Sequence, residues 1–162
     1  MNIRIPFAPT PLLDLSPFYA AAQPPPGRPI IPVTMTGRSD ADFDCLVDSG
    51  SVATVLPRAI ASHLGIKISE NDVDGKPFSQ LRWRGQQFTR AWGEVGMEVT
   101  EPAGRDGFAW TSGVWFCDLP VPYLLLGCQS FLEFFVAIFH IGDGYLELTP
   151  RIGAAVAEVH RG

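Results

Sequence analysis

The chain has 162 residues and a mass of 17.7 kDa, which fits one domain of about 100–200 residues and suffices for a core without disulfide staples. Charged residues make up 18% and hydrophobic residues 46%; that balance excludes a disordered chain, a coiled coil and a charge-rich helical bundle. The net charge of −5 comes without any basic run, so nucleic acid and anionic membranes are poor partners. The shortage of charge also suggests apolar surface that a partner covers.

Residues 1–29 are rich in proline and include Pro24-Pro25-Pro26. Proline removes backbone donors, so the segment is predicted to be an extended arm, neither central strand nor helix interior. Leu12, Leu13, Phe18 and Tyr19 are its candidate packing residues. From Ile30 the signals turn to β. Ile31, Val33 and Met35 alternate until Gly37, Phe43 to Val47 forms a second short strand, and Thr54 to Leu56 a third. Pro57 then suits a first helical turn, Ala59 to Leu64 has helical composition, and Gly65 marks the stop.

Residues 69–77 read as a polar loop with a turn at Asp74-Gly75. Leu81 and Trp83 alternate with Arg82 and Arg84 before Gly85, and Val95, Met97 and Val99 mark a half-buried strand. A polar loop is expected over 101–107, and a short strand over Val114 to Cys117. The apolar run from Tyr123 to Leu126 ends at Gly127, and Ser130 to Phe135 is predicted as a second short helix. Val136 to Ile141 and Tyr145 to Leu148 flank Gly142-Asp143-Gly144, a hairpin signature. The expected fold is all-β, a closed or sandwich-like domain over 30–150 with two short helices and a tail at 151–162.

Cysteine adds little chemistry. Cys45, Cys117 and Cys128 are odd in number, form no CxxC pair and fit a reduced compartment. Cys117 and Cys128 with His140 match no zinc spacing, so neither metal nor cofactor is expected. Cys45 and Cys117 read as small buried residues. Phe131, Phe134, Phe135 and Phe139 read as core or dimer contacts, His63 as part of an exposed helix face, and His140 as a strand-end residue. No targeting segment is convincing and the longest apolar stretch is too short to span a bilayer, so a cytoplasmic location is expected.

The informative stretch is Cys45-Leu46-Val47-Asp48-Ser49-Gly50-Ser51-Val52-Ala53-Thr54-Val55-Leu56. An acid ends one apolar strand and a second apolar strand follows within a few residues. A carboxylate between buried strands is costly unless it is hydrogen-bonded. Ser49 and the amides around Gly50 are the local donors, and Gly50 permits a tight turn and close approach of another backbone. Ser51 offers a further hydroxyl, which is expected to donate to the outer oxygen of Asp48 and favour its charged form.

This segment resembles the active-site loop of the retropepsin-like aspartic proteases. Leu46-Val47, Asp48, Ser49, Gly50, Ser51, Thr54 and Val55-Leu56 fill every fixed position of that pattern. Leu125-Leu126-Gly127 with Phe131-Leu132 is similar to the family's apolar-apolar-Gly segment, and residues 144–148 to its final strand. The resemblance implies a closed β-barrel, with Gly127 letting the segment pass beside the active-site loop. It also implies a homodimeric endopeptidase acting on peptide or unfolded protein; the Ser51 donation to Asp48 would lower the apparent pKa of its carboxylates and predicts an acidic pH optimum. Two carboxylates must share one proton, and this chain has one such loop. Asp48 from each of two subunits would form the dyad, with Ser49 hydroxyls cross-linking the loops and Ser51, Thr54, Leu126 and Gly127 in support. A flap is expected at Trp83-Arg84-Gly85, with Asp74-Gly75 as the other possible tip. Val52 and Ala53 depart from the Asp of retroviral members, which holds the substrate backbone. The competing reading is a non-catalytic dimer of the same fold that binds extended peptides by strand addition.

Overall fold

The computed structural model describes residues 2–8, 28–104, 106–120 and 123–151. Most of these residues are in strands. In chain order the elements are β1 (Ile3–Pro6), β2 (Ile30–Thr36), β3 (Ala41–Val47), β4 (Val55–Leu56) and helix α1 (Arg58–Leu64). They continue with β5 (Leu81–Trp83), β6 (Gln86–Phe88), β7 (Ala91–Thr100), β8 (Gly107–Phe116), β9 (Leu124–Leu126), β10 (Phe135–His140) and β11 (Tyr145–Pro150).

Six strands close a barrel in the order β2-β3-β9-β4-β8-β7. Its interior follows from period-two alternation. Ile31, Val33 and Met35 of β2 and Val95, Met97 and Val99 of β7 point inward and are buried, while Glu94 and Thr100 face out. Closure leaves the barrel no free edge. A separate three-stranded sheet, β1-β11-β10, packs its Ile3, Ile5, Leu146 and Leu148 into the same core. Trp110 sits among Phe131, Phe134 and Phe135 with ring centroids 5.4–5.7 Å apart, so the clustered phenylalanines join barrel to sheet.

Helix α1 lies where its punctuation puts it. Gly65 takes the left-handed conformation at φ 67° and returns its N–H to Ala61 and Ser62. At the other end the Arg58 amide donates to Asp118 Oδ1 at 2.9 Å, so the cap comes from a residue distant in sequence.

Three expectations are corrected. The predicted N-terminal arm begins as a strand: Ile3–Pro6 pairs antiparallel with Tyr145–Leu148, and Ile3 and Ile5 are wholly buried. Pro6 is tolerated because β1 is an edge strand. The predicted second helix is a single 3-10 turn, Leu132–Phe134. Phe135 must already be extended there, because it pairs with Pro150 as the first residue of β10. The predicted strand at 114–117 starts seven residues earlier, at Gly107, because pairing with β7 carries Phe108 and Trp110 into the core. The remainder of the arm over 9–27, with Leu12, Leu13, Phe18, Tyr19 and Pro24-Pro25-Pro26, lies outside the described residues, as does the tail over 152–162. Among the described residues no helix is long and apolar enough to cross a membrane.

Candidate active site

Asp48 stands at the point where β3 leaves the barrel wall. Cys45, Leu46 and Val47 pair in parallel with Leu124, Leu125 and Leu126 of β9, and the Asp48 amide extends that ladder by donating to the Leu126 carbonyl at 2.9 Å. The chain then turns sharply. Gly50 N–H donates to Asp48 Oδ1 at 2.9 Å, and Ser51 N–H to the Asp48 carbonyl at 3.1 Å. A side chain at position 50 would place its Cβ 3.2 Å from that carboxylate oxygen, which is why glycine suits it. Asp48 is half-buried, and Ser49 and Gly50 are exposed. The carboxylate is thus anchored at one oxygen and open to the outside.

The second half of the site is a clamp between residues 51–54 and 127–129. Cys128 N–H donates to Ser51 O at 2.9 Å, Gln129 N–H to Val52 O at 2.9 Å, and Thr54 N–H to Gln129 O at 3.2 Å. Thr54, fully buried, completes it. Its hydroxyl donates to Gln129 O at 3.0 Å and accepts the Gly127 amide at 3.1 Å. A buried hydroxyl with both functions used is stabilising, where an unpaired one would not be. The two backbones run so close that Gly127 has no room for a side chain against Ala53.

Ser51 does not do what its sequence position suggests. Its hydroxyl donates to the Ala53 carbonyl at 2.9 Å. A serine has one hydroxyl proton, so the expected donation to Asp48 is replaced by a bond that shapes the loop. Val52, next in line, is largely exposed at 72%.

The candidate flap residues form a real hairpin. β5 and β6 pair as Leu81↔Phe88, Arg82↔Gln87 and Trp83↔Gln86. Arg84 and Gly85 carry φ of 47° and 81° at its tip, the two positive values that a two-residue turn of this hand needs. Asp74-Gly75 is instead a small closed turn, in which Asp72 Oδ1 accepts the amides of Asp74 and Lys76, both at 2.9 Å.

The thiols divide as their flanks imply. Cys45 and Cys117 are buried and Cys128 is exposed. Burial, with a contribution from neighbouring Asp44, pushes the Cys45 thiol far up; burial and then Asp118 push Cys117 up. Cys128 approaches the Ser49 carbonyl at 3.5 Å through its sulfur. His63 is exposed at an edge-on ring contact with Phe43, and His140 stacks on Tyr145 at 4.2 Å at the end of β10. Among the described residues no three His, Cys, Asp or Glu side chains gather as a metal site.

Sequence reasoning missed Ser130 and Glu133. The Ser130 amide donates to Glu133 Oε1 at 2.6 Å, and the Ser-x-x-Glu spacing was the available signal, although the N-cap of the turn itself is Phe131.

No family model matches the chain, and no curated protein matches it. Among solved structures it is similar to the EIAV protease complexed with the inhibitor HBY-793, at 18% sequence identity and a TM-score of 0.48, covering 71% of this chain and 91% of that one.

Proposed function

We propose that the protein is an aspartic endopeptidase that works as a homodimer. The observation that carries this reading is the Asp48-Ser49-Gly50 loop itself: a carboxylate open to the outside, anchored by Gly50 N–H and locked from behind by Leu126, Gly127 and Thr54. Such rigidity is what a positioned acid–base group needs.

One carboxylate does not make a dyad. Across a two-fold axis, Asp48 and Asp48 of the partner subunit would share one proton, because two carboxylates so close cannot both ionise. The ionised one takes a proton from water as the water attacks the scissile carbonyl, and the protonated one hydrogen-bonds the carbonyl oxygen. Two apparent titrations then belong to the pair and not to either residue. Ser49, exposed next to Asp48 in the chain, would be the residue that cross-links the two loops. The Trp83-Arg84-Gly85 hairpin serves as the flap over an extended peptide or unfolded protein. A cytoplasmic location remains part of this proposal.

The test is cleavage of an unstructured protein across pH, together with sedimentation of the intact chain. Acid-favoured cleavage by a dimer, blocked by a statine-type inhibitor, supports the reading. A stable monomer, or peptide binding without turnover, overturns it; the latter is the behaviour of a strand-adding binding module.

A further inference from the structure

The clamp behind Asp48 depends on a peptide group that is held from both faces. The carbonyl of the Gln129–Ser130 peptide accepts the Thr54 amide at 3.2 Å and the Thr54 hydroxyl at 3.0 Å. The N–H of that same peptide donates to Glu133 Oε1 at 2.6 Å. Ser130 is a buried serine, 4% exposed, at φ 74°. A non-glycine residue is strained in that region and stays there only when its surroundings over-determine it. They do so here. The Ser130 hydroxyl donates to Gly113 O at 2.5 Å, and its carbonyl accepts Trp110 Nε1 at 3.1 Å. Both partners lie on β8, in the barrel wall.

We infer that Ser130 is a positioning residue for the candidate active site: it fixes the Gln129–Ser130 peptide, whose carbonyl sets Thr54 and, through the Thr54 hydroxyl, Gly127. From Gly127 the path continues one residue back to Leu126, whose carbonyl holds the Asp48 amide at 2.9 Å. Glu133 acts on the same peptide from its N–H side. A carboxylate acceptor makes that bond charge-assisted and polarises the peptide, which strengthens the carbonyl as an acceptor for Thr54. The role in catalysis rests on the endopeptidase reading; the role in holding Thr54 does not.

The experiment compares Ser130→Ala and Glu133→Ala with the intact protein. Ser130→Ala removes the bond to Gly113. Glu133→Ala removes an exposed side chain and serves if the first variant fails to fold. Amide hydrogen exchange is expected to rise about tenfold at Gly127 and Thr54, by local opening, while Val95, Met97 and Val99 stay unchanged. Exchange unaltered at Gly127 and Thr54, or raised uniformly along the chain, overturns the inference. In peptide cleavage, kcat is expected to fall about ten- to a hundredfold with KM unmoved, as misplacement of reacting groups produces. An unchanged kcat overturns the catalytic role. Exchange is read without turnover, so failure of the endopeptidase reading and failure of this one are told apart.

Discussion

A Cβ atom on Gly127 would lie 2.4 Å from the carbonyl oxygen of Ala53. That contact is between two backbones, so no side chain can swing away to relieve it. Gly127→Ala is therefore expected to cost about 1–3 kcal/mol, the usual range for overpacking, and to part the Asp48 loop from the segment behind it. Urea unfolding measures the first effect and peptide cleavage the second. A variant as stable and as active as the parent would contradict the close approach.

Asp48→Asn keeps the oxygen that accepts from Gly50 N–H and removes the ionisable group. The fold should survive, with an unfolding midpoint near the parent's. Cleavage should fall by about 10²–10⁴-fold, the span that one acid–base group contributes. Retained turnover in this variant would remove Asp48 from the chemistry.

Thr54→Val deletes a buried hydroxyl and leaves Gly127 N–H without its acceptor. The expected loss is about 1–3 kcal/mol of stability, the cost of a buried polar group left unsatisfied. Thr54→Ser keeps the hydroxyl and should recover most of it. Equal stability of the Val and Ser variants would argue against the bridge.

Ser51→Ala loses one hydrogen bond, to Ala53, worth about 1 kcal/mol. The hydroxyl does not bond the Asp48 carboxylate, so the pH–rate profile of the variant should superimpose on the parent's. A displaced profile would restore the contact that the sequence suggests.

The buried thiols set an alkaline limit. Burial raises both Cys45 and Cys117 above their ordinary value of 9.0. Above that pH the unfolded chain releases these protons and the native chain keeps them. Stability is thus fully present below about pH 9 and falls as pH rises, by at most ~1.4 kcal/mol per pH unit for Cys45. Cys45→Ala should flatten the pH dependence of the urea midpoint, whatever it does to its level. A thiol reagent should modify one exposed cysteine, Cys128, in the native protein, and all three only after unfolding.

The readable parts of this protein are those whose physics is local. The apolar strand into Asp48-Ser49-Gly50, the Pro57 and Gly65 punctuation of α1, and the Gly142-Asp143-Gly144 hairpin each depend on neighbours within a few residues. The unreadable parts depend on distant partners. Ile3–Pro6 is a strand because it meets Tyr145–Leu148 at the far end of the chain. The part of β8 before Val114 carries Gly, Ala, Thr and Ser and shows no strand pattern of its own; it is a strand because β7 pairs with the whole of Gly107–Phe116. The run from Ser130 to Phe135 carries helix-forming residues, yet Phe135 is claimed by β10.

The sequence by itself determined the chemistry on offer: one carboxylate, a hydroxyl and a glycine at a strand end, with no second copy of the pattern. Only the tertiary structure decided how those groups are spent. It sent the single proton of Ser51 to Ala53 and that of Thr54 to Gln129. It also recruited Ser130 and Glu133, which carry no signal of involvement with Asp48. The reason is that a hydrogen-bond donor has one proton and several acceptors within reach of its residue type. Spacing along the chain names the candidates; the packed barrel, by bringing residues 51–54 against 127–129, selects the partner.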